Sequence, residues 1–542
     1  MVKVMRWPSR PGRVLVAGLM LFDLMVVMAK PGGMNVLLIT VDDLRPEIGA
    51  FHPWSPNDTI ITPNLDSLVA NGTLFANAVV QFALCAPSRT SFLTSLSPDT
   101  TQIYSIGPFF RNTTERGRTA VTLPQAFKNA GFHTESYGKI FHVSDACYHQ
   151  PIVTGGHKGC LNDPISWSVL AWLPDPYEER GFNTTKTGPA GPMNPQDLSW
   201  VTFDADDEAF PDGNISLHAV RALHRIKRDI VNQGENFFLG VGFLKPHLPH
   251  VFPKQYLEMY ANVHAPQLAS NPFAPTNSPR VAWGGVMQEI SEYADIVSAR
   301  HGNRSAAPFD LPLKVQVNQK RAYHVATTYI DAQIGKVLNA LEELSLQNST
   351  IIAVIGDHGW KLGEHGGWAK KTNFWNDAHG LLIVSDPRRR RGARVTTTAV
   401  EYLDLYPTLA DLALPSGVPP GLEGTSFAQL LDDPTQTHRN FGFYQYTCYG
   451  VANCMGYSVL SMALGMRYTQ WVRHEHGVPD FDKHMAPPEL YVHHTDPHEN
   501  DNVAADPAYA DDCAALSHKL KHNFGHTTAR GMSEMITIKS GT

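Results

Sequence analysis

Two acidic pairs follow apolar runs that lie far apart in the chain. The run "NVLLITV" is followed by Asp42 and Asp43, and the run "TIIAVIG" is followed by Asp357 and His358. Continuous apolar runs of this length are typical of parallel strands that are buried on both faces. Ligands of open α/β sheets bind beyond the carboxyl ends of the strands, so we expect the two pairs to converge. Clustered carboxylates suit a hard divalent cation, Ca²⁺ or Mg²⁺. Read alone, each pair is more typical of a strand-end turn or a helix cap, because Asp is common there.

A long amphipathic helix is predicted to lead into the second of these strands. Apolar residues recur at helical spacing at Ile330, Ile334, Val337, Leu338, Leu341 and Leu344. A helix followed directly by a buried strand is a unit of an α/β sheet.

The stretch "ALCAPSRTSFLTS" places a cysteine at the start of a predicted helix. Pro87 fits the first turn of a helix, so Cys85 lies at its N-terminus, where backbone N–H groups favour anions. Arg89 adds a positive charge one turn further on. The alternative interpretation of Cys85 is a thiolate nucleophile with a lowered pKa.

Composition indicates an ordinary folded protein. The chain has 542 residues, of which 43% are hydrophobic and 18% charged, which excludes a disordered or fibrous class. Its length favours two domains over one. The formal net charge of -7 gives no reason to expect nucleic-acid binding, so an anionic partner must be held by a local cluster of positive charge.

The N-terminus predicts a signal peptide over residues 1–29. Basic residues between Lys3 and Arg13 precede an apolar run over residues 14–29, which Asp23 interrupts. The run is short for a membrane span, and no later segment is longer, so we expect no span in the mature chain. An uncleaved anchor is the alternative.

Glycosylation sequons and cysteine spacing fit a secretory route. Cys147 with Cys160, and Cys448 with Cys454, are spaced to close small loops in an oxidising compartment, which leaves Cys85 and Cys513 unpaired. The Asn-X-Ser/Thr sequons are at Asn57, Asn71, Asn112, Asn183, Asn214, Asn303 and Asn348.

The stretch "CAPSRTSFLT" resembles the Cys-X-Pro-Ser-Arg signature of the type I sulfatases. In that family a formylglycine-generating enzyme of the endoplasmic reticulum oxidises the cysteine to formylglycine. Other segments match the family in the same order: "ITVDD", "TPNLDSL", "GKIFH", "KPH", "GDHGWKLGEHGGWAK" and "ELYVHHTDPHENDN". Within the family, "PDTT", "GKIFH" and "GDHGWKLGEHG" are most similar to the iduronate-2-sulfatase branch.

The resemblance implies a metal site and a nucleophile. Asp42, Asp43, Asp357 and His358 would hold one Ca²⁺ together with the modified Cys85. A hydroxyl of the hydrated aldehyde would attack sulfur, and its second hydroxyl would allow sulfate to be expelled. His358 is included from the family pattern, because Ca²⁺ itself prefers oxygen ligands.

The resemblance also implies roles for five further side chains. Arg89 would lie against the nucleophile and the metal carboxylates, and Lys139 and Lys370 would bind sulfate oxygens. His247 resembles the residue that protonates or stabilises the leaving oxygen. His142 resembles the base that removes a proton from the second hydroxyl.

Two positions depart from the family pattern. Ser95 and Leu96 stand where members commonly carry Gly followed by a basic residue, in the segment that the modifying enzyme recognises. Gln102 stands where a basic residue is expected in an enzyme that binds a uronate carboxylate.

The implied architecture is an alkaline-phosphatase-like α/β domain, with a central mixed sheet flanked by helices, over residues 35–440. A smaller α+β domain with an antiparallel sheet is expected over residues 441–542. The expected activity is removal of sulfate from a sulfated sugar, such as a glycosaminoglycan, in the lysosome or outside the cell. The alternatives are a formylglycine-dependent phosphonate or phosphate-ester hydrolase and a sulfated-glycan-binding protein without turnover.

Overall fold

The computed structural model describes residues 33–142, 162–174, 186–188, 191–193, 198–283, 289–299, 311–389 and 392–539. The predicted signal peptide and the predicted Cys147–Cys160 pair lie outside these residues. The strands are β1 (Asn35–Val41), β2 (Thr73–Val79), β3 (His133–Gly138), β4 (Lys186–Gly188), β5 (Gly191–Met193), β6 (Trp200–Phe203), β7 (Phe237–Phe243), β8 (His250–Pro253), β9 (Thr350–Gly356), β10 (His379–Gly380), β11 (Leu382–Ser385), β12 (Arg394–Glu401), β13 (Phe441–Thr447), β14 (Cys454–Ser461), β15 (Met466–Glu475), β16 (Val478–His484) and β17 (Glu489–Val492).

The α-helices alternate with the strands over most of the chain. They are α1 (Pro63–Ala70), α2 (Cys85–Thr94), α3 (Pro98–Thr101), α4 (Glu115–Thr119), α5 (Leu123–Asn129), α6 (Pro211–Asp229), α7 (Lys254–Glu258), α8 (Arg280–Trp283), α9 (Ala294–Ala299), α10 (Leu313–Glu343), α11 (Trp375–Ala378), α12 (Leu405–Ala413) and α13 (Ala510–Lys539).

The larger sheet is mixed and has eight strands. Its order is β10-β2-β11-β9-β1-β7-β3, and β12 pairs with β2. Strands β9, β1, β7 and β3 run parallel to one another, whereas β11 is antiparallel to β9 and β2. The two apolar runs of the sequence form β1 and β9 with the predicted bounds, and α10 leads into β9 as predicted.

Helices cover both faces of this sheet. On β1, Leu37 and Ile39 pack into the core shared with α1, α6 and α10. Val36 and Leu38 point the other way, into the core shared with α2, α5 and α12. Burial on both faces explains why β1 is apolar at every position except Asn35 and Thr40.

The second sheet is antiparallel and follows the larger one in sequence. Its order is β13-β14-β15-β16, with β17 beside β15, and α13 packs against it through Leu516, Leu520 and Phe524. The predicted disulfide Cys448–Cys454 is present. The domain boundary near residue 440 stays a prediction, although β13 begins at 441. Among the described residues, no helix is long and apolar enough to cross a membrane.

Candidate active site

Four parallel strands end side by side at one edge of the larger sheet. Val41 at the end of β1 pairs with Gly356 of β9 and with Phe243 of β7, and β3 lies beyond β7. Strands that end at the same level bring the residues after them together. The residues after these strands are Asp42 and Asp43, Asp357 and His358, His247, and Lys139 and His142.

Three buried carboxylates form the centre of the site. Oxygens of Asp42, Asp43 and Asp357 all lie within 4.8 Å of one another, and the Asp43 N–H donates to Asp357 Oδ1 at 2.9 Å. Burial raises the pKa of Asp43 to about 7, although Lys370 opposes this shift. Asp43 Oδ2 is buried and has no hydrogen-bond partner. A hard cation would satisfy this oxygen and relieve the repulsion between the carboxylates.

His358 directs one ring nitrogen into this carboxylate cluster. Its Nδ1 lies 2.9 Å from the carbonyl oxygen of Gly359, so Nδ1–H donates there and Nε2 carries a lone pair. Nε2 lies 3.4 Å from Asp43 Oδ1 and 3.5 Å from Asp357 Oδ1. The fully buried imidazole therefore faces the same point as the carboxylates, as a metal ligand must.

Cys85 is the first residue of α2, as predicted, and its thiol joins this cluster. Its Sγ lies 3.4 Å from His358 Nε2 and 3.5 Å from Lys370 Nζ. Burial raises the pKa of the Cys85 thiol well above its usual range, and Asp42 adds to the effect. This shift is opposite to the one that a thiolate nucleophile needs, so the geometry disfavours that interpretation.

Arg89 ties the two acidic pairs together. Its Nε donates to Asp357 Oδ2 at 2.9 Å and its Nη2 to Asp42 Oδ1 at 3.3 Å. The guanidinium also donates to the carbonyl oxygen of Ile140 at 3.1 Å and is fully buried. A planar cation with this many partners is fixed in orientation, and it holds the carboxylates in place.

Two lysines bring positive charge to the same cluster. Lys370 Nζ lies 2.6 Å from Asp43 Oδ1 and 5.2 Å from the centre of the Trp360 ring. Lys139 pairs with Asp42. Lys139 is positioned by a close approach of β3 to β7, because a Cβ on Gly242 would lie 2.0 Å from its carbonyl oxygen. Trp360 and Trp368 are 2% exposed and pack in a hydrophobic cluster beside the site.

The two histidines of the predicted set face the charged cluster from the ends of β3 and β7. His247 donates from Nδ1 to the carbonyl oxygen of Leu248 at 2.6 Å, and its Nε2 lies 3.9 Å from Asp43 Oδ2. Burial, reinforced by Lys370, lowers the pKa of His247 to about 4. Burial and then Lys139 lower the pKa of His142 well below its usual value, so both imidazoles are neutral at neutral pH.

Glu289 is a charged residue of the site that the sequence did not reveal. Its Oε2 lies 3.3 Å from Lys370 Nζ and its Oε1 lies 3.1 Å from Lys371 Nζ. It comes from a short turn before α9 and belongs to none of the family motifs. Only its acidic type could have marked it as a candidate, and the chain has many acidic residues.

The two departures from the family pattern have local explanations. Ser95 ends α2 with φ +54°, in the left-handed region that favours glycine. Its hydroxyl donates to the carbonyl oxygen of Leu403 at 2.8 Å and accepts from the Gly424 N–H at 3.0 Å, which offsets the strain. Gln102 donates its amide to the carbonyl oxygen of His476 at 2.9 Å.

The mixed sheet with helices on both faces, followed by the antiparallel sheet, defines an alkaline-phosphatase-like fold. A solved protein in complex with its substrate D-glucosamine-2-N,6-O-disulfate shares the fold with a TM-score of 0.64 at 18% identity, covering 91% of this chain and 97% of that chain. A phosphonate monoester hydrolase from Silicibacter pomeroyi shares it with a TM-score of 0.66 at 20% identity, covering 90% and 95%.

The chain belongs to the sulfatase family. The sulfatase domain matches residues 34–415, and the C-terminal region of N-sulphoglucosamine sulphohydrolase matches residues 363–525. Iduronate 2-sulfatase from Homo sapiens is 34% identical over 442 residues, which is 75% of this chain and 75% of that protein. The protein is therefore a sulfuric ester hydrolase.

Proposed function

We propose that the protein removes sulfate from a sulfated sugar of the glycosaminoglycan type, with a formylglycine derived from Cys85 and one Ca²⁺. The observation that carries the proposal is the convergence of Cys85, His358 and the carboxylates of Asp42, Asp43 and Asp357. The sugar is supported by the names of the relatives, an iduronate 2-sulfatase and a structure bound to a disulfated glucosamine.

Two groups complete the site in this proposal. Formylglycine supplies a gem-diol nucleophile, and Ca²⁺ held by Asp42, Asp43, Asp357 and His358 supplies positive charge for the sulfate oxygens. The residues fit a cation because Asp43 Oδ2 lacks a partner and Nε2 of His358 faces the carboxylates.

The lysines bind and orient the sulfate group. Lys370 Nζ lies 3.5 Å from Cys85 Sγ, so a sulfur atom that approaches this position has an ammonium group beside it. Lys139 directly follows β3 at the same edge of the larger sheet. Charges fixed before the substrate binds cost little reorganisation when charge develops in the transition state. Arg89 keeps the carboxylates in place during the reaction.

His247 and His142 transfer protons in different steps of the proposed reaction. His247 Nε2 faces the site, because Nδ1–H is held by a carbonyl oxygen, and Nε2 is the atom that serves the leaving oxygen. The lowered pKa of His142 keeps it neutral, so it can accept the proton of the second hydroxyl. His142 Nδ1 is buried without a hydrogen-bond partner.

The secretory pathway, ending in the lysosome or outside the cell, is the proposed location. The disulfide Cys448–Cys454 fits an oxidising compartment. The asparagines of four sequons, Asn57, Asn71, Asn112 and Asn348, are exposed and so accessible to glycosylation. The formylglycine-generating enzyme is the partner required during maturation.

Paired aryl esters test the activity. Protein secreted from eukaryotic cells is incubated with 4-nitrophenyl sulfate, 4-nitrophenyl phosphate and a phenylphosphonate ester, and with a sulfated disaccharide. We expect sulfate release to be fastest. Faster phosphonate hydrolysis would support the phosphonate hydrolase instead, and tight disaccharide binding without release would support a glycan-binding protein.

A further inference from the structure

The carboxylate of Glu289 lies at the wall of the sulfate-binding region. Besides its ion pairs with Lys370 and Lys371, one of its oxygens lies within 4.8 Å of ring and carboxylate atoms of both His247 and Asp43. Oε2 is buried and receives no hydrogen bond, although it lies near Lys370 Nζ. The site therefore contains an acceptor that is open to a donor from a bound molecule.

The sulfate group cannot supply that donor. Sulfate oxygens are anionic acceptors, as are the oxygens of Glu289. Glu289 forms ion pairs with Lys370 and Lys371, so it is present as the carboxylate anion. An anion here repels a second anion and attracts a hydroxyl or an ammonium group.

The position of His247 shows which part of the substrate meets Glu289. In the proposed mechanism His247 serves the oxygen that joins sulfur to the sugar, and Glu289 lies beside its ring. The nearest substrate atoms other than the sulfate are then the substituents on the carbon next to the esterified one.

We propose that Glu289 is a specificity-determining residue that accepts a hydrogen bond from a hydroxyl or amino group next to the sulfate ester. By the same charge it selects against a carboxylate at that place. The preferred substrate is thus a sugar with a hydroxyl or amino group on the carbon next to the sulfate ester. The inference rests on the proposed sulfatase function.

Three aryl sulfates that differ beside the ester test the inference. They are 4-nitrocatechol sulfate with a hydroxyl, 4-nitrophenyl sulfate with hydrogen, and 2-carboxyphenyl sulfate with a carboxylate. Each kcat/KM is divided by that for 4-nitrophenyl sulfate, and the ratios of wild type and variant are compared, which cancels differences in leaving-group chemistry.

Glu289→Gln should change these ratios in opposite directions. We expect the preference for the hydroxyl ester to fall by about 5-fold and the relative rate on the carboxylate ester to rise by about 10-fold, because a charged acceptor is replaced by a neutral one. Glu289→Asp keeps the charge and should keep the wild-type order of the three esters. Glu292→Gln, an exposed residue of the same segment, should leave all ratios unchanged.

The contrary outcomes are distinct. If Glu289→Gln scales all three esters by one factor, Glu289 serves only as an ion-pair partner of Lys370 and the inference is overturned. Equal kcat/KM values of Glu289→Asp on the three esters overturn the inference as well. If the wild-type protein, carrying formylglycine, releases sulfate from no ester, the proposed function itself fails.

Discussion

The catalytic edge of the larger sheet and the Arg467–Glu499 ion pair, at the junction between the smaller sheet and α11, both bury charged side chains, but they satisfy those charges differently. At the junction, Arg467 donates to both oxygens of Glu499 at 2.6 and 3.0 Å and to Thr469 at 2.6 Å. Glu499 also receives hydrogen bonds from His493 and from the backbone N–H of Trp375, each at 2.9 Å.

The catalytic edge leaves polar atoms without partners. Asp43 Oδ2, His142 Nδ1 and Glu289 Oε2 are all buried and receive or donate no hydrogen bond within the protein. A buried polar atom of this kind costs about 1–3 kcal/mol when nothing satisfies it. The comparison teaches that the Arg467–Glu499 pair serves the fold, whereas the catalytic cluster is completed by what binds to it.

Removing the sulfur atom of Cys85 should have the largest effect on activity. Cys85→Ala deletes the proposed nucleophile, so kcat should fall by more than about 10³-fold while the thermal unfolding midpoint is retained. Sulfate release and differential scanning fluorimetry measure the two quantities. Cys513→Ala, which removes the other free thiol of the described chain, should keep full activity. Normal turnover by Cys85→Ala would refute the nucleophile.

Asp357→Asn tests whether Asp357 is a ligand of the proposed calcium ion. The substitution removes one negative charge from the ligand set, so calcium should be lost on dialysis where the wild type retains about one equivalent. Elemental analysis of the purified proteins measures the content directly. Asp482→Asn changes an exposed carboxylate and is the matched control. Equal calcium in wild type and Asp357→Asn would contradict the assigned ligand.

His142→Ala should separate the two halves of the reaction. We expect steady-state turnover to fall by about 10²–10⁴-fold, the usual contribution of a general base. Because only the second half needs this base, the variant should release one equivalent of alcohol rapidly and then stall. Stopped-flow absorbance with 4-nitrocatechol sulfate shows the burst, and His494→Ala, an exposed histidine, should behave as wild type. Slow release without a burst would assign His142 elsewhere.

Arg467→Met should act on stability and not on chemistry. Breaking a buried ion pair leaves Glu499 uncompensated, which costs about 3–5 kcal/mol in the free energy of unfolding. Urea unfolding measures the loss. Arg473→Met, on the same strand but in an exposed pair with Glu475, should change the free energy of unfolding far less. Similar values for the two variants would show that the junction is not stabilised by its saturated hydrogen bonds.

Substitutions of Ser95 should have the smallest effect, and they act on the free energy of unfolding. Ser95→Ala removes two hydrogen bonds at a left-handed position and should cost about 1–3 kcal/mol. Ser95→Gly loses the same bonds but relieves the backbone, so its cost should be smaller. A more stable Ala than Gly variant in urea unfolding would show that the hydroxyl does not compensate for strain.

The sequence predicts the parts of the site that follow buried strands and misses those positioned by tertiary contacts. β1 and β9 were predictable because burial on both faces makes a parallel strand a continuous apolar run. The acidic pairs were found because each follows such a run directly. Glu289 lies in an irregular segment without periodicity, and only the fold brings it to Lys370. The left-handed backbone of Ser95 likewise depends on partners more than 300 residues away.

Mass spectrometry of the Cys85 peptide tests the central claim most directly. Protein is secreted from eukaryotic cells that are shown to convert a control sulfatase, and the peptide is examined for the mass of formylglycine. The account predicts formylglycine at Cys85 in the active protein. Unmodified cysteine in protein that still releases sulfate would contradict it.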